Sequence, residues 1–261
     1  MNDPHVEQLF YKLRTGENLE FLSPHAIEAD DAAFHIRLED GRLCATMKEH
    51  HGTEESARSC VQKWLRTWEL DRSIHFGQRS FWFEFEESKI IDRNPPKPGD
   101  PIVIRPATGH FFLTGHAPTC VLGQRSYPPP PQNFVASPDV ETMWFRYQMF
   151  LDGKEPLLSM AYACLSLLEG STGAKDHRKA VCKMYNIEEA LRKKLGDIVS
   201  EKGGPHEARK LGTSATKTSL TEREKCWVAD VIKALIRRKG EYDANPSATF
   251  PPIALANFPP V

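Results

Sequence analysis

Tyr127-Pro128-Pro129-Pro130-Pro131-Gln132 divides the chain. Four successive prolines have no N–H to give a helix or a sheet ladder, and they favour an extended polyproline conformation. Before this run the sequence reads as strands with one helix among them. After it, nearly every periodic segment reads as helix. The reading is an α+β protein of two modules. Residues 1–127 form a mainly antiparallel sheet domain with one packed helix, and residues 133–261 form an α-helical bundle ending in a proline-rich tail.

Upstream of the break, Asp40-Gly41 is a strong two-residue turn signal, because both positions tolerate positive φ. Pairing outward from it sets the charge pair Glu39–Arg42 first. Leu38–Leu43, Ile36–Ala45 and Phe34–Met47 then alternate onto one face. Thr53 caps the following helix, with Glu54 and Glu55 in its first turn. Ala57, Val61, Trp64, Leu65 and Trp68 make an apolar stripe that should cover the hairpin. Phe81, Phe83 and Phe85 alternate with Trp82, Glu84 and Glu86 in a further strand, which Asn94-Pro95-Pro96 ends. Ile102–Ile104, Phe111–Leu113 and Cys120–Leu122 are shorter strand candidates.

Downstream, Ser137-Pro138-Asp139 opens a helix with the stripe Val140, Met143, Trp144, Tyr147, Phe150 and Leu151. Pro156–Glu169 is apolar on most faces and predicts the central helix of the bundle. A third helix carries Ile187, Leu191, Leu195, Ile198 and Val199, and Gly203-Gly204-Pro205 stops it. Thr221-Glu222-Arg223-Glu224 is a capping box for the last long helix, whose stripe runs from Trp227 to Ile236. The apolar residues of 245–261 predict a tail that packs along the body.

The formal net charge of -1 argues against a general polyanion binder, but it hides an asymmetry. Residues 1–100 hold 13 Lys+Arg against 19 Asp+Glu, and residues 174–240 hold 17 against 9. Arg192, Lys193, Lys194, Arg209, Lys210, Arg237, Arg238 and Lys239 are the candidate anion or nucleic-acid patch, if the helix ends meet. Arg237, Arg238 and Lys239 also read as cations that stabilise a helix end. A patch covered by the acidic module or merely solvated is preferred over nucleic-acid binding, since overall charge is near neutral and no nucleic-acid motif accompanies it. Trp64, Trp68 and Trp82 could stack bases, but the first two lie on an apolar stripe and read as core.

Other chemistry is sparse. His110, His116 and Cys120, with Glu49, His50 and His51 if the fold gathers them, form the one loose metal-like grouping, at no recognised ligand spacing. No phosphate loop, dinucleotide fingerprint or nucleophile elbow occurs, so neither cofactor nor catalytic residue is assigned. The six cysteines are scattered without a CxxC pair, no apolar run approaches the roughly 20 residues of a membrane span, and Met1–Arg14, mixed polar and apolar, does not read as a signal peptide. A cytoplasmic protein without a membrane segment is expected.

Arg146-Tyr147, then LSMAYACLSLLE at residues 158–169, followed by a basic third helix and a capped final helix, resembles the HEPN helical fold over residues 138–243. A β-rich module before such a bundle is similar to uncharacterised bacterial proteins of the MauJ type. The resemblance implies a family common in prokaryotic defence, toxin and RNA-processing proteins. Active HEPN ribonucleases carry Arg, four to six residues, then His late in the bundle, and no such pair follows Pro131. Arg105 and His110 have the spacing but sit in the other module. The resemblance therefore implies a catalytically degenerate bundle used for binding or dimerisation. The expected function is that of a cytoplasmic accessory or regulatory protein that binds a protein partner or a second copy of itself. The alternative is an RNA-cleaving or metal-dependent hydrolase of a defence or toxin-type system.

Overall fold

The computed structural model describes residues 2–16, 19–76, 79–95, 122–203 and 218–261. It separates into two compact units, Met1–Ser73 with Arg79–Pro130, and Ile74–Gln78 with Pro131–Val261. The fold class is α+β, with the sheet and one helix first and the helices after.

The first unit contains β1 (Pro4–Thr15), β2 (Leu19–His25), β3 (Ile27–Asp30), β4 (Phe34–Glu39), β5 (Arg42–Met47), most of α1 (Glu54–Phe76), β6 (Phe81–Asp92) and β7 (Leu122–Ser126). Five strands make an antiparallel sheet in the order β3-β4-β5-β1-β6, while β2 and β7 form a parallel pair. The β4–β5 register is the one the Asp-Gly turn demands: Leu38 faces Leu43, Ile36 faces Ala45 and Phe34 faces Met47. Asp40 and Gly41 have φ of 49° and 73°, as the twist-matched two-residue turn requires. The inward face carries these residues with Val6, Leu9 and Tyr11 of β1. Ala57, Val61, Leu65 and Trp68 of α1 are buried in the same core. The outward face is a lattice of ion pairs, Arg14–Glu84 at 2.7 Å, Arg37–Glu28 at 3.0 Å and Lys48–Asp30 at 2.7 Å. Arg42 lies opposite Glu39 in register, yet its guanidinium reaches Glu86 and Glu87, where two carboxylates are on offer rather than one.

β1 contains a bulge. Val6 pairs with Ile90 and Gln8 with Lys89, which leaves Glu7 as the extra residue. The bulge resets the pleat, so Val6 and Leu9 both point inward although they are three residues apart. Residues 127–131 are neither helix nor strand. Tyr127, at their start, is buried beside Phe21 and its hydroxyl accepts the Gly41 N–H at 2.8 Å.

The second unit holds α2 (Pro138–Leu151), α3 (Leu157–Gly170), α4 (His177–Tyr185), α5 (Glu189–Glu201) and α6 (Glu222–Ala244). α3 packs against the other four, which fits its nearly continuous apolar surface. The capping box at Thr221 and Glu224 is formed, and Lys202 pairs with the same glutamate. α4 ends at Asn186 in the left-handed region, a common helix stop. The tail is strapped on by Ile253, whose N–H donates to the Asn186 carbonyl and whose carbonyl accepts from Glu188, both at 3.0 Å. Among the described residues, no helix is long and apolar enough to cross a membrane. The strand candidates Ile102–Ile104 and Phe111–Leu113, with Cys120 and the Gly204-Pro205 stop, lie outside the described residues.

Gly240 of α6 lies under the ring of Phe134, which is 5% exposed. A Cβ at Gly240 would sit 2.5 Å from Phe134 Cδ2 and 2.8 Å from Cζ, with Cε2 closer still. Alanine in a helix interior normally gains up to about 1 kcal/mol over glycine. Overpacking costs about 1–3 kcal/mol, and here the obstacle is a buried aromatic ring. Gly240→Ala is therefore expected to destabilise the helical unit by about 2 kcal/mol, read from the urea midpoint of the 222 nm signal. In Phe134→Ala the same substitution should cost much less, because the obstacle is gone. Equal costs in both backgrounds would show that the ring is not the cause.

Candidate functional site

A dense polar cluster gathers around the C-terminal half of α6. The buried stripe Val228, Val231, Ile232, Leu235 and Ile236 continues by helical spacing to Arg238 and Lys239. Both side chains are therefore carried inward, and α6 runs on to Ala244, so neither lies in the last turn. They are 5% and 6% exposed. A buried charge demands partners, and each residue has them.

Lys239 Nζ donates to both carboxylate oxygens of Asp243 at 2.7 Å and contacts Asp139 Oδ2 at 3.1 Å. Ser137 caps α2 by accepting the Val140 N–H at 3.3 Å, and its own hydroxyl donates to Asp243 at 2.5 Å. Arg238 gives its Nη1 to the Tyr185 carbonyl at 2.5 Å, its Nη2 to the Pro251 carbonyl at 2.7 Å and its Nε to Glu241 at 3.1 Å. Tyr185 stacks edge-on against Tyr242 and shares a 2.7 Å hydrogen bond with Ser171. Since Ser171 Oγ already donates to the Leu168 carbonyl, the phenol is the donor in that pair.

The electrostatics follow. Burial works to lower the Lys239 pKa, but its hydrogen bonds to Asp243 and Asp139 and the charge of Asp243 outweigh it and the net shift is upward. Burial pushes the Tyr185 phenol up as well. Lys239 is thus a fixed ammonium, and an ammonium is neither base nor nucleophile. The Ser137 proton is committed to a carboxylate and its lone pair to a helix cap. The cluster fastens the start of α2, the end of α4, the tail and α6 to one another.

The described cations of the sequence-derived patch that have partners are distributed among several, with Arg237 and Arg238 sharing Glu241. Arg192 of α5 binds Glu169 through Nε at 3.0 Å and through Nη2. Lys193 is exposed. Lys194 donates to the Val261 carbonyl at 2.6 Å and lies 5.5 Å from the centre of the Trp227 ring. Arg237 pairs with Glu241 at 3.1 Å. Arg209 and Lys210 lie outside the described residues. So do His110, His116, Cys120 and Arg105. Among the described residues no group of three or more His, Cys, Asp or Glu is placed to hold a metal. Trp68 is core, Trp64 is half-buried edge-on to it and to Phe34, and Trp82 carries the Arg79 guanidinium at 4.1 Å.

The role of Asp139 and Asp243 was not singled out from the sequence. The i,i+4 spacing of Lys239 and Asp243 was available as a signal, whereas the approach of Asp139 depends on how α2 packs. Compared with known proteins, the chain matches no family model, no curated protein and no solved structure.

Proposed function

We propose that the protein is a cytoplasmic accessory or regulatory protein that works by binding, with its helical unit, a catalytically degenerate HEPN-like bundle, as the contact-making part. The observation that carries this reading is the saturation of the bundle's buried and half-buried cations. Buried Lys239 and Arg238 and half-buried Arg192 each pair with a fixed carboxylate of the same unit, which makes a rigid frame rather than a poised reaction centre. The patch cations with internal partners have little left to offer a phosphate backbone, so a protein partner is favoured over nucleic acid. The five described cysteines are free thiols, which suits a reducing compartment.

Contact then falls to the surface, where α2 presents Phe145 at 59% exposure and Leu151 at 44%. A photoreactive phenylalanine analogue placed at position 145 should give one discrete adduct on illumination in the source cells, and one placed at exposed Lys12 should give none. An adduct at twice the chain mass identifies a second copy as the partner. RNA or ester cleavage by the purified chain, abolished by His110→Ala, would overturn the binding reading.

A further inference from the structure

Three histidines meet at one corner of the sheet unit. His5 is near the start of β1, and His50 and His51 lie in the segment between β5 and α1. The rings of His5 and His50 stack with centroids 5.3 Å apart. The backbone N–H of His51 donates to His5 Nδ1 at 3.4 Å. Arg93, just past the end of β6, places Nη1 3.2 Å from His50 Nδ1. A backbone amide and a guanidinium can only donate, so both Nδ1 atoms are acceptors and neither carries a proton. On the far side of its ring, His50 Nε2 faces Asp3 Oδ1 at 3.6 Å, which suits an N–H at that nitrogen. His51 contacts Ser56 Oγ through Nδ1 at 3.0 Å. Main-chain bonds run through the same corner, from the Val6 N–H to the His51 carbonyl and from the Arg93 N–H to the Asp3 carbonyl, each 2.9 Å.

We propose that the His5–His50 pair is an acid-sensitive latch: neutral, it fastens the ends of β1 and β6 to the segment leading into α1, and protonated, it lets that corner open. A proton added at either Nδ1 sets N–H against N–H and breaks the bond that nitrogen accepts. Two stacked imidazolium rings would also repel one another.

The neighbouring charges divide. On the β1 side stand Asp3 and Glu7, the latter paired with Lys89 of β6 at 2.6 Å. β6 adds Arg93 and Asp92, whose carboxylate accepts the N–H groups of Asp3 and Asn2 at 2.9 Å. The loop adds Glu49, which acts on Cys60, and His51. On α1, Glu54 accepts from Ser88 and pairs with Arg58. At His5, burial, His50 and Arg93 lower the pKa, Glu7 opposes them, and the net shift is downward from 6.5. A base with a depressed folded-state pKa contributes stability that is complete above its unfolded value. That contribution is lost as pH falls from 6.5 through the folded value. Asp92 is held below its usual range, first by the Asp3 N–H, so it stays ionised throughout this window.

The test is NMR of the full chain. At pH 7.5, long-range 1H–15N spectra should show both rings as the Nε2–H tautomer. Between pH 7.5 and pH 5, exchange of the Val6 and His51 amides, corrected for intrinsic chemistry, should accelerate roughly tenfold, as the loss of two modest hydrogen bonds implies. Amides of the β4–β5 hairpin should not follow. In His5→Asn/His50→Asn, the amide oxygens replace both Nδ1 acceptors without titrating, so protection at pH 7.5 should persist and the acid response should vanish. An Nδ1–H tautomer in the unmodified chain at pH 7.5 overturns the latch whether or not the variant folds. So does pH-independent protection, or an unchanged acid response in the double variant.

Discussion

Trp68→Ala lowers the stability of the sheet unit by about 4 kcal/mol, within the range for truncating a buried tryptophan. The side chain is 1% exposed and meets Trp64, Phe81 and Phe83 with ring centroids 5.2 to 5.7 Å away. Truncation forfeits the transfer energy of the indole and leaves a cavity that three aromatic rings cannot collapse into without leaving their own contacts. Against a typical total of about 5–15 kcal/mol, the loss leaves the sheet marginal, and near-UV circular dichroism should report its melting many degrees lower. Trp68→Phe separates shape from polarity. Among the described residues the indole N–H has no hydrogen-bond partner, so the phenyl ring gives up volume alone and costs far less. Equal losses in the two variants would show that the site does not depend on filling.

Lys239→Met lowers the stability of the helical unit by about 3 kcal/mol, the lower end for breaking a buried ion pair, because Asp139 keeps contact with solvent. The methionine fills most of the space but strands Asp243, 18% exposed at its side chain, with Ser137 as its one remaining side-chain donor among the described residues. Adding Asp243→Asn removes the stranded charge and should recover at least about 1 kcal/mol, a non-additivity that marks direct coupling. The pH dependence carries a sign. The Lys239 pKa is raised above 10.5, so its contribution is complete below 10.5 and is lost as pH rises through the folded value. Lys239→Met should accordingly flatten the alkaline limb of the urea midpoint against pH. A variant as alkali-sensitive as the unmodified chain would exclude Lys239 as the group responsible.

Both positions show what a sequence reveals and what it hides. The hairpin from Phe34 to Met47 was legible because turn chemistry and alternation agree, and α1 was legible because its apolar stripe is unbroken. β1, which lies between β5 and β6 inside the sheet, was not legible as a strand of defined register. Its bulge at Glu7 separates Val6 from Leu9 by three residues, which breaks the alternation that Leu9, Tyr11 and Leu13 otherwise keep. α4 escaped notice for a different reason. It is nine residues long and buries only Val181, Cys182 and Tyr185. In the cluster, the cap at Ser137 and the run of cations at residues 237–239 were visible. The inward turn of Arg238 and Lys239 was not, because three adjacent cations point in three directions and only packing decides which are buried.

The strand order also imposes a schedule. β1 lies between β5 and β6 in the sheet, yet it precedes both in the chain, and its outer partner ends at Asp92. At about 5–20 residues per second of synthesis, the finished β1 waits roughly 4–15 s for β6. During that wait its long edge can be paired by any passing strand. Lys12 and Arg14, carried on the outward face, put charge along that edge, the means by which an unpaired strand discourages strangers before its native partner has been made.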